Sequence, residues 1–493
     1  MAERSQWSDQ MIVIGIDLGT QGARALAVDL SGQVLASGAQ SFGRSALAAV
    51  APGWFEQSPC SWREAVFGAL HEAVAALGPA SRHVRAISAC GTSGTLCLVD
   101  AQGRSVRDAI MYSDARASDE AAACADVWQP WVDKVGFAIS TSFALPRLLW
   151  VQRHEPHLYA QARWALSPAD LVLAWLTGRW GISDWCNMLK SGYDTVSCVW
   201  PQQVFAALQV DERLLPAVQA PGANIGRLLP AVAADLGLPQ EVVAVSGATD
   251  GTASQLASGA AAPGAWNTTI GTTLVVKGVS QELVVDPAGR VYCHRHPDGH
   301  HWLPGGASST GGDCLSQRFG AKDLSALDAT ALAHSPTPLT VYPLVRRGER
   351  FPFVRPDAEG FVLGAADSLA EHYAAHLEGI ACVERLAYET LAELGAPVGD
   401  TIYTAGGGVR GAALSQLRAD ITGRTLCVAA VPEAAMGAAI LAAAAITGHG
   451  VGETVAAMVH IDHTVTPRPH MRERYDQLYA RFRSACAERG YLS

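Results

Sequence analysis

The apolar positions of this chain fall into short runs that end on glycine, hydroxyl or acid. Residues 12–17, 23–29 and 34–40 are three such runs, separated by Gly19-Thr20-Gln21-Gly22 and by Ser31-Gly32, and they predict a three-stranded meander. The first run delivers Asp17 to its end. Over residues 62–77 the period changes: Val66, Leu70, Val74 and Leu77 share one stripe, which predicts a helix. Strands are predicted over 84–88 and 95–99, on either side of Gly91-Thr92-Ser93-Gly94, and helices over 158–176 and 204–208. A buried strand over 241–245 ends at Ser246-Gly247-Ala248-Thr249-Asp250-Gly251.

The opening pattern then restarts. Strands over 265–270 and 274–279 flank Gly271-Thr272-Thr273, an echo of the N-terminal strand, turn and strand. The echo suggests two similar halves with a cleft between them. Residues 368–394 form the clearest helix: Ser368 and Glu371 make a capping box, Gly395 is the stop, and Leu369, Tyr373, Leu377, Ile380, Val383, Leu386 and Leu391 share a stripe. A strand over 401–405 runs into Gly406-Gly407-Gly408, followed by a helix over 412–421 stopped by Gly423. A small-residue helix spans 432–447, and a tail helix is expected from about Val465.

At 493 residues and 49% apolar, the chain is long enough for two or three domains with ample core. A net charge of −10 and the lack of any Lys/Arg run exclude a nucleic-acid surface. Eleven scattered cysteines without a CxxC pair read as buried, reduced thiols, with packing the role assigned to Cys90 and Cys97. Residues 1–10 lack an apolar signal core, and the apolar run 434–446 is too short and alanine-rich for a span. The expectation is a soluble cytoplasmic protein with no membrane partner.

Five turns carry the candidate chemistry: 19–22, 91–95, 271–273, 406–408 and the densest, 305–312. Glycine allows close approach of backbone to ligand, and Ser/Thr hydroxyls add donors for phosphate or sugar. Neither GxxxxGK[ST] nor a helix-opening GxGxxG accompanies them. Asp17 suits a hydrated Mg²⁺ or a turn-stabilising bond. Asp250 reads either as a base for an alcohol or as the cap of a following helix, and the two are compatible. Asp114 and Arg116 share a face of an extended segment, ready to grip vicinal hydroxyls or to pair with each other at the surface. His294, His296, His300 and His301 read as an exposed hairpin without the acidic partner of a metal site.

Taken in order, these motifs resemble the FGGY carbohydrate kinases of the actin-like ATPase superfamily. Asp17-Leu18-Gly19-Thr20 is similar to their first phosphate motif, and Gly53-Trp54-Phe55-Glu56-Gln57 to a segment of their pentulose and glycerol kinases. Gly247-Ala248-Thr249-Asp250-Gly251 is similar to the element of their catalytic aspartate. Thr269-Ile270-Gly271-Thr272-Thr273 resembles the second phosphate motif, and the stretch from Gly406-Gly407-Gly408 to Asp420 the adenosine motif.

The resemblance implies an α/β protein of two actin-like (ribonuclease H-like) domains, each a mixed sheet flanked by helices, with a deep cleft between them. Residues 11–247 would bind the sugar and 248–485 ATP. Asp250 would take the proton, and Asp17 would hold Mg²⁺ directly or through water. Thr20, Gln21, Gly271, Thr272 and Thr273 would meet the phosphates, and Gly311, Gly407 and Gly408 would line the nucleotide pocket. Thr92, Ser93, Asp114 and Asp250 would meet the sugar, with Arg116 steadying the loop. The partners implied are a small sugar and ATP, and a homodimer is left open.

The loop Gly91-Thr92-Ser93-Gly94-Thr95 departs from the loop most xylulokinases carry there and resembles D-ribulokinases, as do the segments 112–116 and 183–194, Gly306-Ala307-Ser308-Ser309-Thr310-Gly311-Gly312 and Gly348-Glu349-Arg350-Phe351-Pro352-Phe353. D-ribulose is therefore the favoured acceptor, with D-xylulose second and glycerol or another polyol third. An actin-like nucleotide switch that phosphorylates nothing is the reading from another class.

Overall fold

Ile12–Leu18 (β1) is buried on both faces almost throughout, as a central strand must be. The computed structural model describes residues 11–43, 48–320, 322–406 and 411–492. In it β1 pairs antiparallel with Gly22–Asp29 (β2), which pairs antiparallel with Val34–Ser41 (β3). On its other side β1 runs parallel to Val84–Gly91 (β4). Asn224–Arg227 (β5) and Val243–Thr249 (β6) complete the sheet in the order β3-β2-β1-β4-β6-β5, with β4 and β6 parallel and β5 antiparallel.

Two unlike helices cover this sheet. Pro59–Leu77 (α1) starts on a proline and buries Trp62, Val66, Leu70 and Val74 along one stripe. The backbone of α1 approaches β3 so closely that a Cβ at Gly38 would lie 2.1 Å from Ala69 O. A second helix, Ala434–Thr447, is alanine-rich and buried through Ala444. It reaches β1 because Gly15 has no side chain: a Cβ there would lie 1.9 Å from Ala435 O.

The chain forms two compact units. The first comprises residues up to Ala257, His294–His300 and Val431–Val459; the second comprises Ser258–Cys293, His301–Ala430 and the chain from His460 onward. A boundary at 247/248 falls inside β6, whose following helix stays with the first unit.

The second unit repeats the first. Trp266–Ile270 (β7), Leu274–Gly278 (β8), Trp302–Ala307 (β9), Thr401–Ala405 (β10), Thr425–Ala429 (β11) and Ile461–Val465 (β12) lie in the order β9-β8-β7-β10-β11-β12. As in the first sheet, β7 is antiparallel to β8 and parallel to β10, β10 is parallel to β11, and β12 closes the edge antiparallel. The echo of strand, glycine-threonine turn and strand is thus a repeat of topology. Leu369–Glu393, with 17 buried residues, is the core helix of this unit. Ser368 Oγ accepts from Glu371 N, while the Glu371 carboxylate accepts from Asp367 N, one residue before the residue a capping box uses.

Several expectations are corrected. The helix over 158–176 is broken by a strand, Trp164–Leu166, which pairs with Cys97–Val99. Ser167 and Asp170 then cap a new helix that begins on Pro168. The strand over 241–245 runs instead over Val243–Thr249 with an irregular register between Val245 and Ala248, and Gly247 within it leaves no room for a side chain, a Cβ meeting Ala89 O at 1.6 Å. Gly305 and Gly306 are strand, not turn. The tail begins with β12 and becomes helical at Arg472. Leu369 leaves the predicted stripe and is exposed.

Among the described residues no single helix is long and apolar enough to cross a membrane.

Candidate active site

Parallel pairing fixes where the acids of the first unit go. Leu18 lies beside Gly91, and Gly91 beside Thr249. The carboxyl ends of β1, β4 and β6 therefore open on one edge, the usual ligand edge of such a sheet. That edge receives Asp17, the loop after Gly91, and Asp250.

Burial first, and then the nearby Asp250 carboxylate, push the Asp17 carboxyl up to about 6. The Cys90 thiol, 3.7 Å from Asp17 Oδ1, and Arg24, across the β1–β2 ladder, oppose the shift. Cys90 thus sits against the acid rather than serving packing alone. Arg24 Nη1 also meets Glu433 Oε2 at 2.5 Å.

The sign of the Asp17 shift gives a measurable consequence. A raised carboxyl favours the protonated fold, so its contribution is intact below the ordinary value of 3.8 and lost as pH rises through about 6. Asp17→Asn, measured in chelator without nucleotide, is expected to stabilise the protein at pH 8 by up to about 3 kcal/mol. The gain should vanish near pH 4. A pH-independent effect in denaturant titrations would contradict this.

Asp250 opens a helix, Asp250–Ser258, and is half-buried. The competing reading made it the cap. Thr249 does that job instead, its Oγ1 accepting from Thr252 N at 3.3 Å. Asp250 Oδ1 accepts from Gly251 N at 2.6 Å. In the turn after β1, Gly19 N donates to Gly22 O, and the Thr20 and Gln21 carbonyls accept from Gln57 Nε2 and Phe42 N. Those bonds fix the turn, with Thr20 half-buried and Gln21 exposed.

In the loop after β4, Thr92 Oγ1 lies 2.8 Å from Thr95 Oγ1. Ser93 Oγ is buried with no hydrogen-bond partner among the described residues, which calls for an explanation. Gly94 has φ +84°, and a Cβ there would lie 2.4 Å from Ser142 O.

The residue holding this loop escaped the sequence reading. Arg147 is fully buried and donates to five carbonyls: Gly94 and Phe143 through Nη1, and Tyr112, Asp114 and Thr141 through Nη2. Burial lowers its pKa to about 10, which leaves it charged at neutral pH. A signal existed: Leu145-Pro146-Arg147-Leu148-Leu149-Trp150 carries one charge inside an apolar run, which burial would force into a bonded role.

Asp114 differs from its expected role. Its Oδ1 accepts from Arg116 N and Nε, both at 2.9 Å; its Oδ2 accepts from Arg116 Nη2 at 2.7 Å and from Phe55 N at 2.5 Å. The pair is buried, not superficial, and the carboxylate has neither surface nor acceptor position left for a sugar hydroxyl. Arg116 is also held by Glu56 and lies 4.3 Å from the Trp54 ring centre.

The histidines are also corrected. His294 and His296 are buried, and Asp298 Oδ2 lies 3.0 Å from His296 Nδ1, so the segment is not an exposed hairpin lacking an acid.

The second unit gathers its own glycine and threonine turns. Gly312 N donates to Gly271 O, Asp313 N to Thr272 O and Leu274 N to Thr310 O. Gly311 lies against the turn so closely that a Cβ would meet Thr272 O at 2.6 Å. Gly271 and Thr272 are exposed, and Thr273 is half-buried. Gly406, at φ +88°, ends β10 beside this turn; a Cβ would meet Ile270 O at 2.7 Å. Gly407 and Gly408 lie outside the described residues.

Comparison with known proteins shows which family the chain matches. The N-terminal domain of the FGGY family of carbohydrate kinases matches residues 12–257, and its C-terminal domain matches residues 266–446. Xylulose kinase of Streptomyces coelicolor is 29% identical over 89% of this chain and 88% of its own length. Xylulose kinase of Escherichia coli is 29% identical over 84% of this chain and 85% of its own. The crystal structure of xylulose kinase from Rhodospirillum rubrum superposes with a TM-score of 0.84 at 27% identity, covering 97% of this chain and 98% of that one.

Proposed function

The chain belongs to the FGGY family of carbohydrate kinases and is an ATP-dependent sugar kinase, and we propose that its acceptor is a ketopentose phosphorylated on the terminal hydroxyl. The observation that carries this reading is the edge shared by Asp17, the Gly91–Thr95 loop and Asp250. Asp250 removes the proton from the hydroxyl as its oxygen attacks the γ-phosphorus. Ser93 Oγ and Thr92 Oγ1 orient the sugar. Asp114, saturated by Arg116 and Phe55, positions the neighbouring backbone in place of touching substrate. In the second unit Gly271, Thr272, Thr273 and Gly311 receive phosphate oxygens. Thr20 and Gln21 supply donors at the first phosphate turn, and Gly407 and Gly408 belong to the adenosine side. The first unit is assigned to the sugar and the second to ATP.

Mg²⁺ fits the acids present. Asp17 is forced toward its protonated form by burial and a second carboxylate, an excess of negative charge that a hard, oxygen-seeking cation would relieve. Asp17 would hold it, directly or through water, and when bound it would neutralise phosphate charge. The chain's own work is positioning, which dominates phosphoryl transfer, with proton removal adding roughly 10²–10⁴-fold.

On the sugar, two lines of support diverge. The loop 91–95 favours D-ribulose, the first expectation. The named relatives are xylulose kinases, and D-xylulose is the acceptor they support. A coupled ADP-release screen over D-xylulose, D-ribulose, their L forms, ribitol and glycerol separates these. A D-ketopentose is expected to lead glycerol and ribitol by at least about tenfold in kcat/KM. Comparable values for all six would contradict a pentulose pocket.

A further inference from the structure

The loop that meets the phosphate turn of the second unit is itself built around one acid. Glu349 is 3% exposed, yet among the described residues no basic side chain pairs with it. Its charge is met by five neutral donors. Oε1 accepts from two backbone groups, Ser309 N at 2.6 Å and Arg350 N at 3.0 Å. Oε2 accepts from three hydroxyls: Ser308 Oγ at 2.9 Å, Tyr342 OH at 2.8 Å and Thr310 Oγ1 at 3.2 Å. Ser308 Oγ in turn accepts from Thr310 N at 2.9 Å.

These bonds reach the phosphate turn in one further step. Ser308 N donates to Leu274 O and Leu274 N donates to Thr310 O, so residues 308–310 bracket the residue after Thr273. Gly311 follows at once and lies on Thr272. The residues after Glu349 anchor the same loop: Arg350 Nε donates to Ala307 O at 2.8 Å, and the buried Phe351 ring lies so close to Gly306 that a Cβ there would meet it at 2.6 Å. Burial and the carboxylate push the Tyr342 phenol well above its ordinary value, which keeps it a donor. A carboxylate filled by donors is rigid in a way an apolar contact is not, because leaving any donor unmet in the interior carries a cost.

We propose that Glu349 is a positioning residue for the ATP side of the reaction, bracing residues 308–311 so that Thr272 and Thr273 face the phosphates in a fixed geometry. This rests on the assignment of the 271–273 turn to phosphate. The sorting of donors makes a sharp distinction between two variants. Glu349→Gln keeps an oxygen for the two backbone N–H groups, and its new amide can donate to hydroxyls that rotate to accept. Glu349→Ala keeps nothing.

Steady-state KM values for ATP and for the preferred ketose, measured separately on each folded variant, test the proposal. Glu349→Ala is expected to raise the KM for ATP at least about tenfold and leave the ketose KM within about twofold, while Glu349→Gln stays within about threefold of the parent. If the alanine variant does not fold, Ser308→Ala, which removes one hydroxyl from the brace, is expected to raise the KM for ATP about three- to tenfold. Equal rises in both KM values, or an unchanged KM for ATP, would overturn the role of Glu349. Thr272→Val separates the two failures. If it leaves the KM for ATP unchanged, the phosphate assignment of the turn falls; if it raises that KM while Glu349→Ala and Ser308→Ala do not, only the brace falls.

Discussion

Asp250→Asn is expected to lower kcat by about 10²–10⁴-fold while leaving the fold intact. The size follows from losing a base held at the reacting hydroxyl, and the retained fold follows from the local bonding. The helix cap belongs to Thr249, so the substitution removes no cap. The bond from Gly251 N at 2.6 Å can be accepted equally by an amide oxygen. One negative charge near Asp17 also disappears, which relaxes the upward pressure on that carboxyl. The variant should therefore unfold no earlier than the parent at pH 8, with KM values for both substrates little changed. Retention of kcat within about tenfold would remove Asp250 from the chemistry.

Arg418→Ala is expected to destabilise the second unit by about 3–5 kcal/mol, the usual cost of orphaning one member of a buried ion pair. Arg418 and Glu384 are both fully buried and bonded in two places, Nε to Oε2 at 2.6 Å and Nη2 to Oε1 at 2.8 Å. The third donor, Nη1, reaches Thr404 Oγ1 at 2.8 Å, and Thr404 Oγ1 donates onward to Thr268 O. The pair thus ties a core helix to β7 and β10 just before the turns at Gly271 and Gly406. Urea unfolding should show the loss as an earlier midpoint. The double variant Arg418→Met with Glu384→Leu should lose much less, because no charge is left unpaired. A single-variant cost below about 1 kcal/mol would mean that Glu384 finds another partner or water.

The central strands β1, β4, β6, β7 and β10 were legible because they are largely apolar and end on glycine or hydroxyl turns, whereas β5, β9, β11 and β12 were not. The repeat was visible for the same reason, as two copies of strand, turn and strand around Gly19–Gly22 and Gly271–Thr273. What escaped depended on contacts between distant segments. The break at Trp164–Leu166 exists because Cys97–Val99 pairs with it, and periodicity alone does not report a partner strand. Residues 434–447 read correctly as a closely packed helix, yet nothing local says that they cover β1 at Gly15.

Within the site, Asp17 and Asp250 were legible as strand-end acids. Asp114 was misread because its spacing to Arg116 reveals a shared face but not whether that face points to solvent. Arg147 was marked only by its lone charge in an apolar run, and Glu349 was invisible as an anchor, since each works by collecting polar groups from several segments.

Phosphorus NMR of the parent protein with ATP, Mg²⁺ and the preferred D-ketopentose tests the central claim most directly. The account predicts a new phosphomonoester resonance, split by the two protons of the terminal carbon and growing in step with ADP, and its loss in Asp250→Asn. ADP accompanied only by inorganic phosphate, or an ester formed as fast by the Asp250→Asn variant, would contradict it.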